Sequence, residues 1–172
     1  MAQDEYTVRY TLGAGDNWEL TKYVIRSSPR YWLMHGALIF GSAYLAGTLR
    51  GTEAGTGAFD ARLFLGVALF MAVLDYLAQR LKSIHRVRRT PGLVGAHELR
   101  ITPEGLHGKS DGHPESHVTW SHIDRIVETE TWLYLFINRV SAVIVPQSAF
   151  VSGADRAEFA DAARRWRAGN SA

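Results

Sequence analysis

Histidine is the residue whose grouping first suggests chemistry. Five of the seven, His97, His107, His113, His117 and His122, fall within residues 97–122. Imidazole is a common ligand for zinc and copper, so the cluster raises a metal-site reading. Its spacing argues the other way, because zinc ligands come at short fixed intervals on ordered elements and His113 sits in a polar loop. The expected role is a solvated, mildly pH-responsive face, with no metal and no cofactor. Other chemistries find less support. A nucleophilic serine on a strained turn would show as G-x-S-x-G, which is absent. Gly13, Ala14, Gly15 and Asp16 form a fragment of a glycine-rich pattern that lacks the third glycine and the preceding buried strand of a dinucleotide-binding unit. Glu128 and Glu130, two apart, are expected to share one exposed strand face and not to act as an acid and base pair. There is no cysteine, which excludes thiolate metal sites and thiol nucleophiles. The chain is therefore read as a non-enzyme with no catalytic residue.

His35 and Asp75 are different, because each interrupts an apolar stretch. Residues 31–49 hold six side chains of the Leu, Ile and Phe class, and residues 63–79 hold nine of the Leu, Phe and Val class. A hydrocarbon core of about 30 Å needs roughly 20 such residues per helix. The apolar sum in the second stretch outweighs Asp75, whose cost is at most about 3.5 kcal/mol. Two antiparallel spans follow, in which His35 and Asp75 share a depth and are expected to face one another, since polar groups in lipid turn toward partners. The sharp reading is proton transfer; the plainer one is that the pair fixes helix register. Small residues four apart, Ala37 with Gly41, Ala43 with Gly47 and Ala68 with Ala72, suit tight helix packing.

Cations set the direction. Lys22, Arg26 and Arg30 precede the first span and Arg80, Lys82, Arg86, Arg88 and Arg89 follow the second, whereas Arg50 and Arg62 alone flank the intervening loop. Short Lys- and Arg-rich flanks stay cytoplasmic, so both termini are placed in the cytoplasm and residues 51–60 become a short outer turn. The basic run also suits an anionic membrane surface. With a net charge of only +2, the chain is not read as a nucleic-acid binder. The mean hydropathy of -0.10 averages an apolar middle with charged flanks.

The remainder reads as a β-rich module. Tyr6, Val8 and Tyr10 alternate with polar residues as in a half-buried strand, and Asp16 with Glu19 has capping-box spacing for a short helix. Leu99 and Ile101 begin a hairpin reversed at Pro103, Glu104 and Gly105. A polar loop, a strand from Ile123, the apolar run of residues 132–137 and a strand closing at Pro146 follow. Ser152 with Asp155 starts a last helix whose stripe is Phe159, Ala163 and Trp166. Tyr134 and Phe136 point away from Leu133, Leu135 and Ile137, so they form an apolar second face that needs a cover and could meet a partner protein.

The stretch Trp120, Ile123, Leu133 to Phe136, Ile144, Pro146 and Phe150 resembles the pattern of the YcxB-like family of bacterial membrane proteins. That resemblance implies a two-span anchor carrying a small pleckstrin-homology-like module, and it implies no activity. The whole is expected to be an α+β membrane protein. Residues 1–30 supply a strand and an interfacial helix that pack on the C-terminal module, residues 31–90 a transmembrane hairpin with a basic extension, and residues 91–172 an antiparallel β module with a capping helix. The expected role is an inner-membrane interaction or regulatory element whose partners are the bilayer and a protein or a second copy. The alternative is an accessory subunit of a transporter, or a proton-responsive component, using His35 and Asp75.

Overall fold

The computed structural model describes residues 5–53, 61–90 and 92–170, with the side chains of residues 51–53, 61 and 88 left out of that description. Among these residues there are four α-helices and seven strands in two antiparallel sheets. Two compact units divide the chain, Met1–Thr21 with Arg86–Ala172 and Lys22–His85.

In the first unit, β1 (Tyr6–Leu12), β2 (Gly95–Thr102), β3 (Gly105–Ser110) and β4 (Ser116–Thr119) form one sheet in that order. The second sheet runs β5 (Arg125–Glu128), β6 (Trp132–Phe136) and β7 (Ala142–Pro146). β1 lies on β2 with Tyr6 opposite Ile101 and Leu12 opposite Gly95. The β2–β3 turn is the two residues Pro103 and Glu104, and Thr102 pairs with Gly105. Glycine is required at 105, because a Cβ there would stand 2.5 Å from the Val118 carbonyl oxygen. Both sheets and α4 (Gly153–Gly169) share one core of Leu99, Ile101, Leu106, Trp120, Leu133, Leu135, Val145 and Phe159. Trp120 is 1 % exposed, and its indole N–H donates to the Thr102 carbonyl at 2.8 Å, so its one polar group is satisfied.

Ser152 caps α4 with Asp155 in a reciprocal capping box, and Phe159 and Ala163 lie buried along its inner stripe with Trp166 beside them. Arg156 is buried against the β5–β6 turn, where its guanidinium donates to the carbonyls of Thr129, Glu130 (2.9 Å) and Trp132 (3.0 Å). Arg167 donates to Ile123 and Asp124 carbonyls in the same way. Helix and second sheet are thus joined by charge-assisted bonds to backbone as well as by apolar packing.

α1 (Ala14–Ser27) starts earlier than the Asp16 and Glu19 spacing suggests. Asp16 instead accepts from the Gly13 amide at 2.7 Å, so it stands at the third helical position and reaches back to a glycine at the cap. In the second unit, α2 (Pro29–Glu53) opens with proline in its first position, where no amide is needed, after Ser28, whose hydroxyl accepts from the Tyr31 amide. α3 (Ala61–Arg89) has 29 residues, so at about 1.5 Å per residue it is longer than a hydrocarbon core of about 30 Å. α2 continues to Glu53 where the turn of residues 51–60 was expected, and residues 54–60 of that turn lie outside the described residues.

Pro29–Arg50 and Arg62–Val87 are both long and apolar enough to cross a membrane. Of the most apolar stretch, 11 % of residues in the first and none in the second are buried. Leu33 and Leu69 are 75 % and 69 % exposed. Ala43 and Gly47 are buried, whereas Ala37, Gly41 and Ala72 face outward, and a Cβ on Gly41 would meet nothing within 4 Å. Only one of the three small-residue pairs is enclosed at both positions.

Candidate functional site: a polar cluster between two apolar helices

Tyr31 and His35 lie one turn apart on α2, and residues four apart occupy the same helix face. Asp75 projects from α3. The His35 Nε2 stands 3.6 Å from Asp75 Oδ1, and the Tyr31 hydroxyl donates to Asp75 Oδ2 at 2.6 Å. Tyr31 and His35 also stack, with ring centroids 3.8 Å apart. The two residues singled out from sequence are brought together, and Tyr31 completes the group. Its membership was missed although the four-residue spacing to His35 carried the signal.

The remaining imidazole nitrogen determines where a proton must be. His35 Nδ1 lies 2.9 Å from the Tyr31 backbone carbonyl oxygen, which only accepts, so Nδ1 carries hydrogen. In a neutral ring Nε2 would then present a lone pair to a carboxylate. The cluster joins the two helices through the Tyr31 hydroxyl on one carboxylate oxygen of Asp75, with the His35 ring beside the other.

The basic residues after the second apolar stretch continue the same helix. Arg80, Lys82, Arg86 and Arg89 are exposed, and the Arg88 side chain lies outside the described residues. Their spacing distributes charge around the helix end.

In the β unit, His107 and His117 are opposite each other on β3 and β4, with ring centroids 4.5 Å apart, and His107 Nδ1 lies 3.9 Å from Glu115. The pair follows from a hairpin centred on Gly112, which makes residues equidistant from it partners. His122 bonds Thr119 at 2.8 Å, His113 lies against Gly92, and His97 stacks on Tyr10. Among the described residues no three His, Asp or Glu side chains are grouped closely enough to hold a metal ion.

Two readings of the surface need correction. Tyr134 and Phe136 are 2 % and 0 % exposed, so these rings are covered and offer no partner face. The Arg125 guanidinium lies 4.0 Å above the Phe136 ring, a cation–π contact that closes part of that side. Glu130 lies in the turn after β5, so it does not share a strand face with Glu128, whose carboxylate pairs with Arg164 at 2.9 Å and with Arg156 at 3.6 Å.

No curated protein and no solved structure matches the chain. The family model described as YcxB-like protein matches residues 101–163, so the stretch from the end of β2 into α4 is YcxB-like.

Proposed function

We propose that this chain is a two-span protein of the bacterial inner membrane. Its YcxB-like region is a pleckstrin-homology-like module on the cytoplasmic face, acting as an interaction or regulatory element and not as an enzyme. One observation carries the reading: two helices of membrane-spanning length expose their large apolar side chains instead of burying them. In water such a surface is unfavourable by roughly 25 cal/mol for each Å². In lipid it is the ordinary outer face of a helical hairpin. The Lys and Arg excess outside the loop favours both termini on the inner side, and the two antiparallel sheets with α4 packed in their shared core suit a small β module. Partners are the bilayer and a protein or a second copy, with no nucleic acid.

Alkaline carbonate washing of membranes tests the anchoring. The chain stays in the pellet if the hairpin is inserted, and its release into the wash would contradict the proposal. Photocrosslinking from the module in native membranes tests the interaction role, which predicts a discrete crosslinked product and is contradicted by none.

A second reading, an accessory transporter subunit or proton-responsive membrane component, is favoured by the grouping of Tyr31, His35 and Asp75 between two apolar helices. Proton flux into vesicles containing the reconstituted chain separates the two. The structural role predicts no flux above empty vesicles and no change in Asp75→Leu, whereas flux abolished by Asp75→Leu supports the second reading.

A further inference from the structure

The turn between β6 and β7 displays apolar side chains on a backbone that meets its own needs. Ile137 and Val140 are exposed on either side of Asn138 and Arg139. The Asn138 side-chain oxygen accepts from the Val140 and Ser141 amides, each at 2.9 Å. The Ser141 carbonyl accepts from the amides of Ile137 at 2.9 Å and Asn138 at 3.3 Å. Open amides oppose entry into a medium poor in water, and four of the five amides of residues 137–141 are bonded within the turn itself.

Its place in the fold supplies the partner. β7 starts at Ala142, directly after the turn, and Ala142 lines one cleft with Leu12, Asn17 and Leu93. Leu12 ends β1 and pairs with Gly95, the first residue of β2. Both connections to the long apolar helices leave the β unit from this pair, and both are short. One residue separates β1 from α1, and residues 90–94 separate α3 from β2. Exposure follows the same division. Among the described residues of the β unit, the exposed large apolar side chains are Val94, Ile137, Val140 and Val151. Val94 directly precedes β2, so three of the four lie at the end where the chain leaves, and Val151 follows the opposite end of β7. Charge narrows the surface further. Asp111 and Glu115 are exposed in the β3–β4 loop, and an anionic bilayer repels them. On the β6–β7 side Arg139 is exposed, and Asp124 is paired with Arg125 at 2.8 Å.

We propose that the β6–β7 turn is a contact site for the lipid surface, with Ile137 and Val140 entering the interface and Arg139 among the phosphates. The proposal rests on the reading that α2 and α3 span a membrane, and it adds a second attachment made by the β unit itself. An apolar pair with one cation is a weak anchor alone. Two short tethers keep it near the surface, so little affinity is needed.

The test introduces Ser141→Cys, Val151→Cys or Leu69→Cys singly into the cysteine-free full chain, labels each with an NBD fluorophore and reconstitutes the protein in nanodiscs of phosphatidylcholine and phosphatidylglycerol. Nitroxide-bearing lipids quench a fluorophore that they touch. The label at position 141 is expected to lose most of its fluorescence to a headgroup nitroxide and the label at 151 almost none, while an acyl-chain nitroxide quenches the label at 69. Ile137→Asp with Val140→Asp is expected to lower the ratio of touching to free turn about tenfold, and Arg139→Gln about fivefold. Position 141 unquenched or equal to 151, or full quenching kept in the folded double variant, overturns the proposal, and the anchoring stands if position 69 is still quenched. An unquenched label at 69 overturns the anchoring and this proposal together. If the double variant fails to fold, the comparison of positions 141 and 151 decides.

Discussion

In the β unit Trp120, Leu133, Leu135 and Phe159 are sealed inside and most charged groups lie outside, whereas in the helical unit Leu33, Leu69 and Phe70 face outward while Tyr31, His35 and Asp75 turn toward each other. The same chain applies opposite rules because the two units are read as having different solvents. In water, burying a methylene contributes about 0.8 kcal/mol, and the core collects that gain. In lipid an outward leucine gains nothing by turning inward, so polar contacts between helices decide how they pair. A feature that would be a defect in one unit is a design rule in the other.

The largest expected effect breaks the comparison directly. Phe159→Ala should lower the stability of the β unit by about 3 to 5 kcal/mol through a cavity between α4 and both sheets. Leu69→Ala, a deletion of similar kind on an exposed helix face, should cost under about 1 kcal/mol in nanodiscs. Chemical unfolding followed by tryptophan fluorescence measures both, and equal costs would mean that Leu69 is packed in protein.

Arg156→Met should cost about 3 kcal/mol in the same assay, because it removes the guanidinium that donates to the carbonyls of Thr129 and Glu130, while the Trp132 carbonyl keeps the Thr129 amide and hydroxyl. A smaller effect is expected for the polar cluster. A double-mutant cycle of His35→Gln and Asp75→Leu, read from unfolding in mixed micelles, should give a coupling of about 1 kcal/mol. Additive costs would remove the interaction from the account.

The smallest effect is one of slope. His97 is harder to protonate folded than unfolded, because burial opposes its charge. Below the ordinary histidine value of 6.5 the unfolded chain therefore binds more protons, and stability falls as pH drops from there toward the lower folded value. His97→Phe should flatten that part of a stability–pH curve.

Much of this was legible in the chain because the signals are local. Residues 31–49 and 63–79 announce helices by apolar length alone, and Pro103 to Gly105 and the Ser152 and Asp155 box mark a turn and a helix start within a few residues. What escaped was set by register or by neighbours distant in sequence. Tyr134 and Phe136 alternate as an open face would, and only tertiary packing covers them. Asp16 caps from inside α1 because Gly13 supplies the first amide, a choice that spacing to Glu19 does not reveal. Tyr10, His97, Ser110 and Ser116 become one row and its neighbour only after β1 pairs with β2, β2 with β3 and β3 with β4.

The central claim is that lipid surrounds α2 and α3 while both termini stay in the cytoplasm, and cysteine labelling in intact cells tests it most directly. The chain has no cysteine of its own, so Thr56→Cys and Ser121→Cys each report one site without background. The account predicts that a membrane-impermeant maleimide applied to cells with a permeabilised outer membrane labels position 56 and reaches position 121 only after the inner membrane is opened. Equal labelling of both sites before lysis, or of neither, would contradict it.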